Sequence, residues 1–223
     1  MISPRFHLYI DSADLGVIQA LLPNPLIYGV TTNPTLMRRA GLRSEELAAF
    51  IDRVLVLEAQ VVQVQVSSRD ANGMLRDARA ALELGPEGRI IPKIPATRAG
   101  FAAGCRLSAE GVRVTYTAVF APEQALFAAN TGAAYAAPYL GRLDDLGSGS
   151  MALLARMQAL VSRYGSDTRL LVASIRTREA FLSLLDLGVG AITIPPSLAP
   201  ELFDHVSTLD AESAFLADAE AVK

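Results

Sequence analysis

Eight short β-prone runs alternate with helical stretches along this 223-residue chain, and that alternation restricts the fold more than any other feature. The runs cover residues 6–10, 26–31, 61–66, 89–93, 112–119, 134–139, 169–174 and 189–194. Apolar residues recur at helical spacing over residues 14–22, 44–52, 72–84, 98–110, 122–130, 150–164 and 178–187. In the second of these Ser44 is suited to cap the helix, and Glu45 and Glu46 to complement its N-terminal dipole. Strands each followed by a helix pair in parallel, and eight such units in a chain of this length predict an α/β fold, the closed (β/α)8 TIM barrel. No linker, charge block or low-complexity tract interrupts the pattern, so residues 1–223 are expected to form a single domain. A doubly wound open sheet is the alternative, but neither G-x-G-x-x-G nor G-x-x-x-x-G-K-[ST] occurs in the chain.

The last stretch, residues 207–223, is predicted to be an extra C-terminal helix. Ser207-Thr-Leu-Asp210 carries a weak capping-box signal, and Phe215, Leu216 and Ala219 share one helical side. Such a helix covers the bottom of its own barrel or docks on a neighbouring subunit. A composition 51% hydrophobic and only 19% charged is apolar for a soluble monomer and tilts the reading toward the neighbour.

Composition also removes several classes of function. Net charge is −3 and the basic residues are scattered, so the expected partner is a small molecule rather than nucleic acid or a membrane. Met1-Ile-Ser-Pro-Arg-Phe6 lacks the apolar run of a signal peptide, and no stretch approaches the roughly 20 residues that span a bilayer. The cytoplasm is the expected location. The single cysteine, Cys105, sits among Phe101, Ala102 and Leu107 and reads as helix packing rather than a reactive thiol. Two histidines, His7 and His205, are too few for a His-rich metal site or a Ser/His/Asp triad. Acid and base work falls to Tyr, Asp, Glu or Lys, with no cofactor expected.

Lys93, in Arg89-Ile-Ile-Pro-Lys-Ile-Pro95, is a lone amine inside a proline-bracketed apolar strand. A free lysine titrates at about 10.4, and bringing it near 7 takes about 3 units, or ~4 kcal/mol, of relative stabilisation of the neutral form. A neutral amine attacks a carbonyl to form a Schiff base. The plainer reading is a strand-end lysine that snorkels its ammonium to water.

In a (β/α)8 barrel the C-terminal strand ends converge on one mouth, where the active sites of such enzymes lie. Here those ends carry Asp11; Thr31, Thr32 and Asn33; Gln65; Lys93; Thr117; Tyr139 with Arg142; and Ser174 with Arg176. Together they offer a nucleophile, a carboxylate, a phenol, neutral hydrogen bonders and guanidinium groups suited to phosphate. Singly, each has a plainer reading. Asp11 and Ser174 can be helix caps, Thr31-Thr-Asn-Pro34 a turn with Pro34 at N1, and Gln65 the polar face of a half-exposed strand. Thr117 is a normal β-former, Tyr139 a core aromatic, Arg142 and Arg176 surface cations, and Gly147-Ser-Gly-Ser150 a flexible loop or cap. All of them falling at predicted strand ends in one frame favours a shared site.

The same residues carry a resemblance. Leu8-Tyr-Ile-Asp-Ser-Ala-Asp14, Gly29-Val-Thr-Thr-Asn-Pro34, Lys93-Ile-Pro-Ala-Thr97, Thr117-Ala-Val-Phe120 with Gln124-Ala125, Tyr135-Ala-Ala-Pro-Tyr139 with Gly141-Arg-Leu-Asp144, Ala173-Ser-Ile-Arg176 and Thr193-Ile-Pro195 follow in the order seen in the transaldolase family. The chain is most similar to its fructose-6-phosphate aldolase and small-transaldolase branch. That branch implies a (β/α)8 barrel, no cofactor and a Schiff-base lysine on the fourth strand, matched by Lys93. Transaldolases carry Glu where this chain has Gln65 and Phe where it has Tyr139, whereas the aldolase group carries Gln and Tyr. Thr115 stands where larger transaldolases have Asn, in keeping with the same branch. Arg176 departs from the aldolase group, which has Lys there, and matches transaldolases.

The resemblance implies reversible cleavage of a ketose phosphate to dihydroxyacetone and an aldehyde phosphate, with Asp11, Gln65, Thr117 and Tyr139 around Lys93 as the proton-handling set. Thr31 and Asn33 then bind the donor, and Arg142, Ser174 and Arg176 the phosphate. Transfer of the dihydroxyacetone unit to a second aldehyde is the alternative, and a non-catalytic sugar-phosphate binder a further one. The branch also implies a homo-oligomer, a pentamer or decamer.

Overall fold

In a computed structural model that describes residues 6–147, 149–164 and 167–222, eight parallel strands close into a barrel in sequence order, β1 pairing with both β2 and β8. The strands are β1 (His7–Asp11), β2 (Ile27–Thr31), β3 (Val61–Gln65), β4 (Ile90–Pro95), β5 (Thr115–Val119), β6 (Tyr135–Pro138), β7 (Arg169–Val172) and β8 (Ala191–Ile194). Around them lie α1 (Leu15–Leu21), α2 (Pro34–Ala40), α3 (Leu47–Val56), α4 (Ala71–Leu82), α5 (Arg98–Ala109), α6 (Pro122–Asn130), α7 (Leu140–Leu146), α8 (Ser150–Arg163), α9 (Arg178–Asp186), α10 (Ala199–Phe203) and α11 (Val206–Ala221). The structure is thus the (β/α)8 barrel with an additional C-terminal helix.

Two apolar regions follow from the alternation of side chains along each strand. Outward residues such as Ile10, Val62, Ile94, Tyr116 and Ile192 pack against the helices. Inward residues Tyr9, Val61, Ile91, Tyr135, Ala137, Leu171 and Ala191 fill the barrel. Gly29 belongs to this interior, because a Cβ there would collide with the Val61 carbonyl and press on the Tyr9 ring. Below the mouth the Tyr9 hydroxyl donates to the Tyr135 hydroxyl (2.8 Å), which lies 2.6 Å from His7 Nδ1, while Thr115 donates to Gln63 Oε1 (2.9 Å). These pairings satisfy the Tyr9, Tyr135 and Thr115 hydroxyls, which would otherwise be costly to bury, whereas Gln63 Nε2 is buried with no hydrogen-bond partner among the described residues.

Several local expectations need correction. The fifth strand starts at Thr115 rather than 112, because Val112 N–H returns to Leu107 O (2.9 Å) and Gly111 N–H, at φ +80°, to Ser108 O (3.0 Å). Val112 is therefore committed to ending α5 through a glycine C-cap and cannot join the sheet there. Helices α2 and α7 were not anticipated; each is only seven residues long, and α7 contains a glycine. Cys105 is exposed, not packed: the buried set on α5 is Gly100, Ala103, Gly104 and Leu107, and residue 105 faces away from it. The C-terminal helix begins at Val206, so Ser207 lies within its first turn and does not cap it; His205 is the N-cap and makes no side-chain cap bond. No residue of α11 is buried, and Val206, Leu209, Phe215 and Leu216 are exposed. Ser148 of the Gly147 to Ser150 loop, the first five residues and Lys223 lie outside the described residues. No helix among the described residues is long and apolar enough to cross a membrane.

Candidate active site

Lys93, the fourth residue of β4, points inward like Ile91, is level with Gln65 on β3 and Thr115 on β5, and is only 5% exposed. Its Nζ donates to the Thr32 carbonyl oxygen (3.0 Å). Burial lowers its pKa from the ordinary lysine value, opposed by the negative charge of Asp11. The snorkelling reading therefore fails, because the ammonium is turned into the barrel mouth and not out to bulk water.

Asp11 ends β1 and stands opposite Thr31 of β2. Its Oδ1 accepts from Thr31 Oγ1 (2.7 Å), and that hydroxyl is 2.6 Å from Thr193 Oγ1 of β8. Since Thr31 spends its one proton on the carboxylate, Thr193 is the donor in the second bond. Burial raises the pKa of Asp11, while Lys93 and the Thr31 hydrogen bond pull it down. The helix-cap reading of Asp11 does not hold: α1 is capped by Asp14, whose Oδ1 accepts from Val17 N–H (3.2 Å).

On the other side of Lys93, Thr117 and Tyr139 meet. Their hydroxyl oxygens are 2.5 Å apart, linking the middle of β5 to the residue just beyond β6. Burial raises the pKa of the phenol, so it holds its proton at neutral pH. The Phe120 ring stands edge-on to Tyr139 at 5.9 Å. Next to Thr117, Ala118 adopts φ +56°, and the β5–β6 register slips there. A left-handed non-glycine residue costs roughly 1–2 kcal/mol, a strain met most often where a site demands it.

Asn33 caps α2 through its Oδ1, which accepts from Leu36 N–H (3.0 Å), with Pro34 in the first turn. The turn reading of Thr31 to Pro34 is thus correct as local structure, and it leaves the Asn33 amide donors outside the cap. Gln65 is half-buried beside Lys93 in the β3–β4 register. Arg142 is exposed on α7. Ser174, which does not cap α9 (Thr177 does), has φ +62° just beyond β7. Gly141 N–H donates to Ser174 O (3.1 Å), and a Cβ on Gly141 would sit 2.8 Å from both Ser174 Oγ and Arg176 Nε. The glycine is what lets these two polar groups approach the start of α7.

Three contributors were not foreseen in these roles. Thr193 supports Thr31 from across the barrel seam. Gln124 ties two mouth loops together, its Oε1 accepting from Phe120 N–H (2.8 Å) and Ala121 N–H (3.0 Å) and its Nε2 donating to Ala96 O (2.9 Å). Asp145 pairs with Arg176. Thr193 and Gln124 lie in segments that carry the resemblance, so their positions were marked; their partners were not.

Comparison with known proteins gives the family of the chain. Residues 8–223 match the family described as Transaldolase/Fructose-6-phosphate aldolase. The chain belongs to that family. A probable transaldolase of Anaeromyxobacter sp. (strain Fw109-5) is 38% identical over 214 residues, covering 96% of this chain and 97% of the relative. A probable transaldolase of Methanococcus maripaludis (strain C7 / ATCC BAA-1331) is 35% identical over 213 residues, covering 96% and 97%. One from Aquifex aeolicus (strain VF5) is 36% identical over 214 residues, covering 96% of each chain. Among solved structures, orotidine 5'-monophosphate decarboxylase from Metallosphaera sedula superposes with a TM-score of 0.56 at 10% identity, covering 98% of this chain and 100% of that one; this likeness concerns the barrel alone. Membership of the transaldolase/fructose-6-phosphate aldolase family makes this a transaldolase-like enzyme, for which sugar phosphates are fitting substrates.

Proposed function

We propose that this enzyme is a class I aldolase of the fructose-6-phosphate aldolase type, an aldehyde-lyase that cleaves a ketose phosphate reversibly to dihydroxyacetone and an aldehyde phosphate. The observation that carries the reading is the Tyr139 phenol, bonded to Thr117 two strands along from a buried Lys93, with its pKa raised by burial.

Lys93, as the free amine, attacks the C2 ketone; the carbinolamine loses water and leaves a cationic iminium. The C3–C4 bond then breaks, its electron pair flowing into the iminium to make an enamine while Asp11 takes the proton of the C4 hydroxyl. A carboxyl with a raised pKa is suited to that exchange. The aldehyde phosphate departs, with Arg142, Ser174 and Arg176 holding its phosphate. Tyr139, assisted by Thr117 and Gln65, protonates the enamine carbon, and the water released earlier is restored as hydrolysis frees dihydroxyacetone and Lys93. Thr31 keeps Asp11 oriented, and the amide of Asn33 faces the donor hydroxyls. No cofactor enters these steps.

Transaldolase activity is the second reading, favoured by Arg176 and by the names of the relatives. The two differ in the fate of the enamine. With fructose 6-phosphate as sole substrate, free dihydroxyacetone is expected to accumulate, read by a coupled reductase assay. Product that forms only after erythrose 4-phosphate is added would assign the enzyme to transaldolase instead.

The exposed α11 supports a homo-oligomer. A sixteen-residue helix with no buried residue is marginal in water by itself, and burying Leu209, Phe215 and Leu216 against a neighbour gains about 25 cal/mol per Å2. Deleting residues from Leu209 onward is therefore expected to shrink the particle in light scattering. A full-length protein that already runs as a monomer at micromolar concentration would refute this.

A further inference from the structure

Arg176 is held by a forked ion pair with Asp145, to which the proposed mechanism gives no part. Its Nη1 donates to Asp145 Oδ1 (2.8 Å) and its Nη2 to Asp145 Oδ2 (2.7 Å). Asp145 thus occupies the terminal edge of the guanidinium. The other edge, at Nε, faces Gly141 and Ser174: a Cβ on Gly141 would be 2.8 Å from Arg176 Nε and 2.8 Å from Ser174 Oγ. The planar fork has two bidentate edges, and the one that Asp145 does not use lies near Gly141 and the hydroxyl of the left-handed Ser174.

The pair spans the β6 and β7 ends of the mouth. Asp145 comes from α7, the helix that also bears Arg142, while Arg176 follows β7. Both side chains are half exposed, at 55% and 53%, so the pair itself adds little to the stability of the fold. What it does supply is orientation. An arginine this exposed samples many rotamers, and a partner that fixes its terminal edge removes part of the ordering cost of binding an anion on the other edge.

We propose that Asp145 is a positioning residue for phosphate, acting through Arg176: it aims the Nε edge at Ser174 and thereby sets the preference for phosphorylated over unphosphorylated aldehydes. This rests on the reading that Arg142, Ser174 and Arg176 receive the phosphate. The opposing effect is electrostatic, since a second carboxylate near a phosphate dianion repels it. That repulsion acts through solvent between exposed groups and is screened by salt over about 8 Å at physiological ionic strength.

The test uses the full-length enzyme in the synthetic direction, with dihydroxyacetone as donor and either glyceraldehyde 3-phosphate or glyceraldehyde as acceptor. The readout is the ratio of kcat/KM for the two acceptors. Asp145→Ala is expected to lower this ratio about fivefold, through KM for the phosphorylated acceptor, as the loss of a partner that pre-organises the guanidinium implies. Asp145→Glu should restore part of it, because a carboxylate still meets the fork. In an Arg176→Ala background the Asp145→Ala change should have no further effect on the ratio, which a general disturbance of α7 would not reproduce. An unchanged or raised ratio in Asp145→Ala, with Arg176→Ala lowering it, overturns the role of Asp145 and leaves the phosphate site standing. A ratio unmoved by Arg176→Ala and Arg142→Ala alike overturns the phosphate site itself, and the inference with it.

Discussion

Incubation with dihydroxyacetone or fructose 6-phosphate and borohydride is expected to leave a reduced three-carbon unit on Lys93, read by peptide mass spectrometry, and on no other lysine. Lys93→Met should abolish the adduct and lower kcat/KM by on the order of 10^4-fold or more, since no other lysine lies among the described residues to replace the covalent step. The pH dependence follows from the directions of the shifts. Because burial lowers the pKa of Lys93, the neutral nucleophile appears at lower pH than for a free lysine, and the rate of imine formation should rise with pH and level off below 10.5. Stability has the same sign. Between the lowered native pKa and the unfolded value of 10.5, the unfolded chain binds a proton that the native one does not, so folding gains as pH rises through that window. Lys93→Met should lose this gain. Asp11 behaves oppositely: with its native pKa raised above 3.8, folding loses stability as pH rises from 3.8 through the native value. Removing Lys93 also removes the charge that holds Asp11 down, so in Lys93→Met this loss should extend to higher pH. An unmodified Lys93 in an enzyme that still binds fructose 6-phosphate would remove the aldolase and transaldolase readings together and leave a sugar-phosphate binder.

Tyr139→Phe should divide release from transfer. In the proposed mechanism the phenol gives the proton to the enamine; it is hydrogen-bonded to Thr117 and its pKa is raised by burial. Its removal is expected to slow dihydroxyacetone release by about 10^2–10^4-fold, the usual worth of a positioned general acid. Transfer to erythrose 4-phosphate needs no protonation at carbon and should fall far less, so the ratio of transfer to release rises. Adding Gln65→Glu should move it further in the same direction, as the residue pattern of transaldolases implies. The fold has little at stake, since losing one hydroxyl bond at the mouth costs about 1 kcal/mol. A Tyr139→Phe enzyme that releases dihydroxyacetone as fast as the parent would dismiss the phenol as the acid and return that task to water held by Gln65 and Thr117.

The barrel was legible because its signals are local. Alternation of period two in Val61-Val-Gln-Val-Gln-Val66 and helical spacing in residues 98–110 each depend on a few neighbouring residues, and eight repeats leave few closed arrangements. The boundaries that went astray did so where one residue had two possible uses. Val112 reads as strand by propensity but closes α5 through Gly111, and Ser207 reads as a cap but sits inside a helix that starts at Val206. Cys105 shows the same limit: its neighbours are apolar, yet the phase of α5 is set by which face meets the sheet, and that face carries residues 100, 103, 104 and 107.

By itself the sequence determined the class of fold, the order of strands and the placing of Asp11, Gln65, Tyr139 and Ser174 at or just beyond strand ends, because pleat and helix periodicities decide which residues end a run; β4 and β5 each run two residues past Lys93 and Thr117. Only the tertiary structure decided what those residues touch. Thr31 meets Thr193 across 162 positions, Thr117 meets Tyr139 across 22, and Arg176 meets Asp145 across 31. Such pairings depend on barrel closure and strand register, which are collective properties of all eight strands. The environment of Lys93 belongs to the same class: the desolvation that lowers its pKa and the Asp11 charge that opposes it come from elements far apart in the chain, brought within range only when β1 and β8 close the barrel.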